Sequence, residues 1–177
     1  MKTVILDPPP VEVEQLVERR RRLGLDHFDE VWEGVYHMVP APRFDHGFVD
    51  DQLARAIGPY ADRAGLAGCG QFNLGEVDDF RVPNRGYHRE LDAQAVWLTT
   101  AVLVVEILSP GDETWEKLPF YAAHGVEELF VVDPAGRRLR FFRLVRDAGG
   151  RAGYEETGRS ELLGVEASEL ESAVRWP

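Results

Sequence analysis

The run Val102-Leu103-Val104-Val105-Glu106-Ile107-Leu108 is apolar and rich in β-branched residues except for a single carboxylate. Closed by the turn Ser109-Pro110-Gly111, such a run reads as a strand covered on both faces, so the chain must supply a packing layer to each side of its sheet. The glutamate adds a second constraint. An ionised carboxylate in an apolar interior is very costly unless a metal, a lysine or hydrogen-bond donors compensate it. Alternation puts Val104, Glu106 and Leu108 on one face, so the residue two after the glutamate is apolar. Lys117, on the helix-like stretch that follows, is the ammonium that can reach back.

The remaining elements are read around this strand. Val11 to Arg22 has a helix-favouring composition with an apolar side at Val13, Leu16 and Val17, and Gly24 stands where a helix is capped. Glu30 to Val39 alternates around Glu33-Gly34, which predicts a tight hairpin ended by Pro40 and Pro42. His46 to about Ala64 carries Phe48, Val49, Leu53, Ile57 and Ala61 near helical spacing, with a kink expected at Gly58-Pro59. Gln71 to Val77 and Phe80 to Val82 read as strands, and the polar segment holding Asn84-Arg85-Gly86 and Leu91-Asp92 reads as a loop. Thr114 to His124 predicts a helix kinked or restarted at Pro119 and closed by Gly125. Glu128 to Val132 and Leu139 to Val145 form a hairpin across Asp133-Pro134-Ala135-Gly136, followed by a short strand near Tyr154 and a last helix at Ala167 to Ala173. This order predicts one α+β domain, mixed α/β in composition, over residues 1–177, with one central mixed sheet flanked by helices.

Composition limits the functions. A net charge of −11 opposes a broadly basic nucleic-acid surface. The runs Arg19 to Arg22 and Arg137, Arg138, Arg140, Arg143 read as solvated faces. Cys69, the single cysteine, excludes an internal disulfide and a cysteine-rich zinc site. The start MKTVILDPPP breaks at proline before a signal-peptide core could form, and no apolar stretch is long enough to span a membrane, so the expected location is the cytoplasm. His27, His37, His88 and His124 lack metal-ligand spacing, and His46 reads as a loop or capping residue. Walker, dinucleotide-binding and nucleophile-elbow motifs are all missing. Trp115, Phe120 and Tyr121 around Lys117 read as residues that pack a helix onto a sheet, Trp115 being the exposed one.

What the residues leave open is a magnesium site or a structural ion pair at Glu106. Mg²⁺ takes one or two carboxylates, several waters and substrate phosphates, and can activate water for phosphodiester hydrolysis while a lysine steadies developing charge. The segments EVWEGVYHMVPAP, FRVPNRGYHR, LVVEILSPGDETWEKLPFYAAHGVEELFVVDP and RRLRFFRLV, in that order, resemble the Uma two family, a branch of the PD-(D/E)XK nuclease superfamily described as restriction endonucleases. The resemblance covers about residues 29–145. It implies a restriction-endonuclease-like core with an N-terminal helix and β-hairpin, and a site made of an aspartate after a proline, a strand glutamate and a lysine moved to the next helix.

Glu106 and Lys117 match two of these positions, and the aspartate position falls on Asn84 in Val82-Pro83-Asn84. An amide oxygen can ligate a hard cation but lacks the charge that holds the metal and lowers the pKa of its water. The resemblance thus implies Glu106, Lys117 and Asn84 as catalytic residues and Mg²⁺ (or Mn²⁺) as cofactor, with Glu106, Asn84 and Glu30 as ligands. Glu30 is the preferred extra carboxylate over Glu33, which a hairpin turn explains equally well, and over Asp78, Asp79, Glu90 and Asp92. The expected function is a metal-dependent endonuclease acting on DNA, weakened by Asn84. The alternative is an inactive nuclease-fold protein that binds nucleic acid or a protein partner. The sequence leaves the oligomeric state open, with strand edges and the commonness of two-fold dimers compatible with a homodimer.

Overall fold

The apolar run forms a strand, Leu103–Ile107, with all five residues buried, and the rest of the chain is arranged about it. The structure is a computed structural model describing residues 10–111 and 113–177; the proline-broken start, residues 1–9, lies outside them. In chain order the elements are α1 (Val11–Arg22), β1 (Glu30–Trp32), β2 (Val35–His37), α2 (Phe44–Arg63), β3 (Ala67–Cys69), β4 (Asn73–Glu76), β5 (Asp79–Arg81), β6 (Arg85–His88) and β7 (Trp97–Leu98). They continue with β8 (Leu103–Ile107), α3 (Thr114–Ala123), β9 (Glu128–Asp133), β10 (Arg138–Arg146), β11 (Ala152–Thr157), β12 (Arg159–Ser160), β13 (Val165–Glu166) and α4 (Ala167–Ala173).

The fold is α+β as expected, but its strands make two main sheets rather than one. A mixed six-stranded sheet has the order β11-β10-β9-β8-β6-β3, and a five-stranded sheet has the order β2-β1-β5-β4-β7; β12 and β13 pair separately. The N-terminal hairpin does not stand apart, because β1 pairs with β5 through Val31 and Phe80. Its turn uses Glu33 and Gly34 at φ 50° and 82°, a two-residue turn of the kind that matches strand twist. The N–H groups of Glu33 and Gly34 bind Asp79 Oδ1 and the Asp78 carbonyl, tying the turn to the second sheet.

Alternation along β8 assigns its two faces. Leu103, Val105 and Ile107 join the cluster built with Val49, Leu53 and Ile57 of α2 and Leu170 of α4. Val104 packs with Tyr121 of α3 and with Leu74 of the second sheet. The central sheet is therefore covered by α2 and α4 on one side and by α3 and the second sheet on the other, which is why β8 tolerates no exposed position. Glu106 falls on the α3 side, where Lys117 can meet it.

Both prolines expected to kink their helices lie inside continuous ones, since α2 runs through Pro59 and α3 runs through Pro119 without a restart. In α3 the carbonyl left without its helical donor is that of Trp115, four residues back on the half-exposed start of the helix, where water can satisfy it. The helix α1 ends as its glycine predicts: Gly24 takes φ 62°, with its N–H on Arg21 O and that of Leu25 on Arg20 O.

One expectation is overturned. The segment containing Arg85 and Gly86 is not a loop but strand β6, lying between β8 and β3 with Arg85 opposite Val105 and Gly86 opposite Val104. Gly86 is there for close packing, not for a turn. A Cβ at this position would stand 2.3 Å from Phe72 Cε1 and 2.9 Å from His88 Nε2. Gly86→Ala is expected to destabilise the protein by roughly 1–3 kcal/mol through overpacking, read as a lowered denaturant midpoint with an unchanged slope; an unaltered midpoint would mean that Phe72 swings aside freely.

Candidate functional site

Register brings the site together. With Arg85 opposite Val105, the residue before β6 arrives beside the end of β8, and Ile107 N–H donates to Asn84 Oδ1 at 2.7 Å. Glu30 reaches the same place from β1, where its Oε1 accepts the Val82 N–H at 2.8 Å, two residues before Asn84. Lys117 comes down from the first turn of α3. Its Nζ lies 2.7 Å from Glu30 Oε1 and 3.2 Å from Glu106 Oε1.

Both carboxylates are almost entirely buried, each residue being 2% exposed. The rest of their hydrogen bonding is specific. Trp32 Nε1 donates to Glu30 Oε2 at 2.7 Å, and the Tyr121 hydroxyl donates to Glu106 Oε1. Glu30 thus has donors on both oxygens, whereas among the described residues the donors to Glu106 converge on Oε1.

Burial pushes the Glu106 pKa above the ordinary carboxylate range; Lys117 opposes this shift and Glu30 adds to it. Burial disfavours the Lys117 ammonium too, but the charges of Glu106 and Glu30 outweigh it and hold the lysine above its usual value. Tyr121, buried against the same carboxylates, is kept well above its usual value and remains a hydroxyl donor.

The cluster forms the floor of a cavity of about 360 Å³ that Asn84, His46 and Ser109 also line. One lip is the segment from Met38 to Arg43, and the other comprises Ser109, Pro110, Gly111 and Glu113. His37 Nδ1 and Glu113 Oε2 meet at 3.0 Å between the two lips, and Trp32 stacks on His37 with centroids 4.2 Å apart. Arg81 lies over Trp32 and Phe120, 4.4 and 4.0 Å from their centroids, which closes the back of the hairpin with cation–π contacts.

All four residues expected at the site, Glu30, Asn84, Glu106 and Lys117, line this one cavity. Glu33, Asp78, Asp79, Glu90 and Asp92 do not line it. Three participants were missed or set aside on sequence grounds. Trp32 is two residues after Glu30 on the same strand face, and Tyr121 is four after Lys117 on the same helix face, so each spacing carried a usable signal. His46 is no loop residue: it belongs to the first turn of α2 and meets Asn84 Nδ2 at 2.8 Å. Nothing in the local sequence around His46 signals that contact.

For a divalent cation the donor set is small. Among the described residues, no three His, Cys, Asp or Glu side chains are grouped to hold a metal. Glu30, expected as a ligand, is committed to Lys117, Val82 and Trp32. Among the described residues, Glu106 Oε2 carries no hydrogen bond, and Asn84 Oδ1 and Glu30 Oε2 have one donor each, so the oxygens left for a cation are one open carboxylate oxygen and two partly engaged ones. That is enough for Mg²⁺, which keeps most of its waters and takes as few as one or two carboxylates.

A family model, Uma2, described as "Putative restriction endonuclease", matches residues 26–174. Among solved structures, one match is to "a putative nuclease belonging to DUF820 from Anabaena variabilis ATCC 29413", with 15% sequence identity, 82% of this chain and 90% of that chain covered, and a TM-score of 0.64. At that identity the likeness speaks for the fold. No curated protein matches the chain. Among the described residues no helix is long and apolar enough to cross a membrane.

Removing the ammonium should expose the electrostatics of the cluster. Lys117→Met leaves two buried carboxylates uncompensated and is expected to cost about 3–5 kcal/mol at neutral pH. Burial already raises the Glu106 pKa and the lysine that opposes this shift is gone, so the folded variant binds more protons than the unfolded chain and regains stability as pH is lowered towards about 5. In the native chain Lys117 has a raised folded pKa, so its contribution is complete below the unfolded lysine value of about 10.4 and is lost as pH rises through the folded value. Denaturation midpoints from pH 5 to 8 check this; a variant with a pH profile parallel to that of the native chain would contradict it.

Proposed function

Because this chain belongs to the Uma2 family, we propose that it is a metal-dependent endonuclease that hydrolyses DNA phosphodiester bonds in the cavity above Glu106. The observation carrying this reading is the convergence of Glu30, Lys117 and Glu106 from three separate elements onto one buried point, next to Asn84 at the motif's aspartate position. Packing alone does not call for two buried carboxylates around one lysine, since such groups are stabilising only when fully paired and are often matched by apolar residues.

Glu106 would hold Mg²⁺ or Mn²⁺ through Oε2, with Asn84 Oδ1 beside it. A bound cation of this kind supplies Lewis-acid polarisation of the phosphodiester and lowers the pKa of attacking water. The side chains do the rest. Glu30 anchors Lys117 in its charged form, so the ammonium is already in place for negative charge developing on phosphate oxygens, without reorganisation when the reaction occurs. Tyr121 holds Glu106 by Oε1 and keeps its other oxygen turned to the task. The burial of Glu30, Glu106 and Lys117 at the cavity floor strengthens each of these interactions. Overall, water adds across a P–O bond, leaving a phosphate monoester on one fragment and a hydroxyl on the other.

A second reading is favoured by Asn84 and by the internal pairing of Lys117: a nuclease fold whose site has lost catalysis and which binds nucleic acid or a protein partner. Cleavage assays on single- and double-stranded DNA with Mg²⁺ or Mn²⁺ separate the two. The endonuclease reading expects native activity that falls to background in Glu106→Ala and by about a hundredfold or more in Lys117→Ala. Activity present only in Asn84→Asp supports the degenerate site. Inactivity of every form, together with no uptake of either metal, would sink the endonuclease.

A further inference from the structure

Asn84 is held at both ends of its carboxamide. Its Oδ1 accepts from the Ile107 backbone at 2.7 Å, and because a peptide N–H only donates, the orientation of the amide is fixed. The group that faces His46 Nε2 at 2.8 Å is therefore the NH₂. His46 Nε2 must accept, so the ring is neutral and carries its proton on Nδ1, which stands 3.1 Å from Ser109 Oγ. This chain of hydrogen bonds links the end of β8, the residue before β6, the first turn of α2 and the loop after β8. The packing of α2 does not account for it, because that helix is seated by Val49, Leu53, Ile57 and Ala61 while His46 lines the cavity.

We propose that His46 is a positioning residue of this site. It holds the Asn84 carboxamide so that its oxygen stays beside Glu106, and it does so in the one tautomer that suits an asparagine. An aspartate at position 84 would turn a carboxylate oxygen towards the Nε2 lone pair. The ring would then have to carry its proton on Nε2, and the Ser109 hydroxyl, able to donate or accept, would serve Nδ1 instead. Asn84 and His46 are thus a matched pair, and their metal-facing role rests on the endonuclease reading above.

Two measurements test this. Long-range ¹H–¹⁵N NMR of the histidine rings, at a pH of about 8 where an ordinary imidazole is neutral, is expected to report Nδ1–H for His46 in the native chain and Nε2–H in Asn84→Asp. Nε2–H in the native chain, or the same tautomer in both, overturns the pairing. Calorimetric titration with Mn²⁺ alone is expected to show about tenfold weaker binding in His46→Ala, the size usual for groups that orient a ligand. His46→Gln, whose carbonyl can accept the same donor, should recover most of the loss; equal affinity in the native chain and His46→Ala overturns the positioning role. A failed tautomer switch alongside normal Mn²⁺ uptake removes His46 alone and leaves the endonuclease standing. No Mn²⁺ uptake by the native chain overturns the endonuclease and the metal-facing role together.

Discussion

A single ammonium between two buried carboxylates holds this molecule's halves to one another. Lys117 leaves α3, Glu106 leaves the middle of the central sheet, and Glu30 leaves the second sheet, and the three meet within hydrogen-bond or ion-pair distance. None of the three charges is stable in that environment alone, so each element's position depends on the other two. The hairpin is drawn against the central sheet by this demand as well as by apolar contact, and the cavity lies between the two lips that rise from these elements.

The polar lining of that cavity is divided by function. On one side, Trp32, Val82 and Lys117 engage both oxygens of Glu30, which makes it an anchor for the lysine. On the other, Asn84 is oriented by Ile107 and His46. Glu106 stands between them with its donors gathered on one oxygen. A cation at this place would meet one full charge rather than two or three, a weaker attraction that follows from Asn84 having no charge and from Lys117 having already drawn Glu30 away.

Much of the fold was legible because it is written in local patterns. The helix from Val11 to Arg22, its glycine stop, the hairpin at Glu33-Gly34, the Glu128 and Arg138 strands and the last helix all follow from periodicity and turn chemistry. Strand β6 was not legible, since Gly86 carries the same letter whether it makes a turn or lets Phe72 approach; only the packing distinguishes them. The joining of the hairpin to β5 was hidden for a related reason: strands this short owe their pairing to neighbours distant in the chain.

At the site, the sequence by itself determined that Glu106 needed a partner and that Lys117 was within reach, because burying an apolar strand forces compensation of any charge inside it. The resemblance to a nuclease family marked Asn84 and Glu30. Tertiary structure alone decided what each does. The antiparallel register of β6 and β8 placed Asn84 against Ile107, the first turn of α2 brought in His46, and the packing of β1 gave Glu30 three donors. Hydrogen bonds act over about 3 Å between residues tens of positions apart, and no local pattern in a chain encodes which of them will meet.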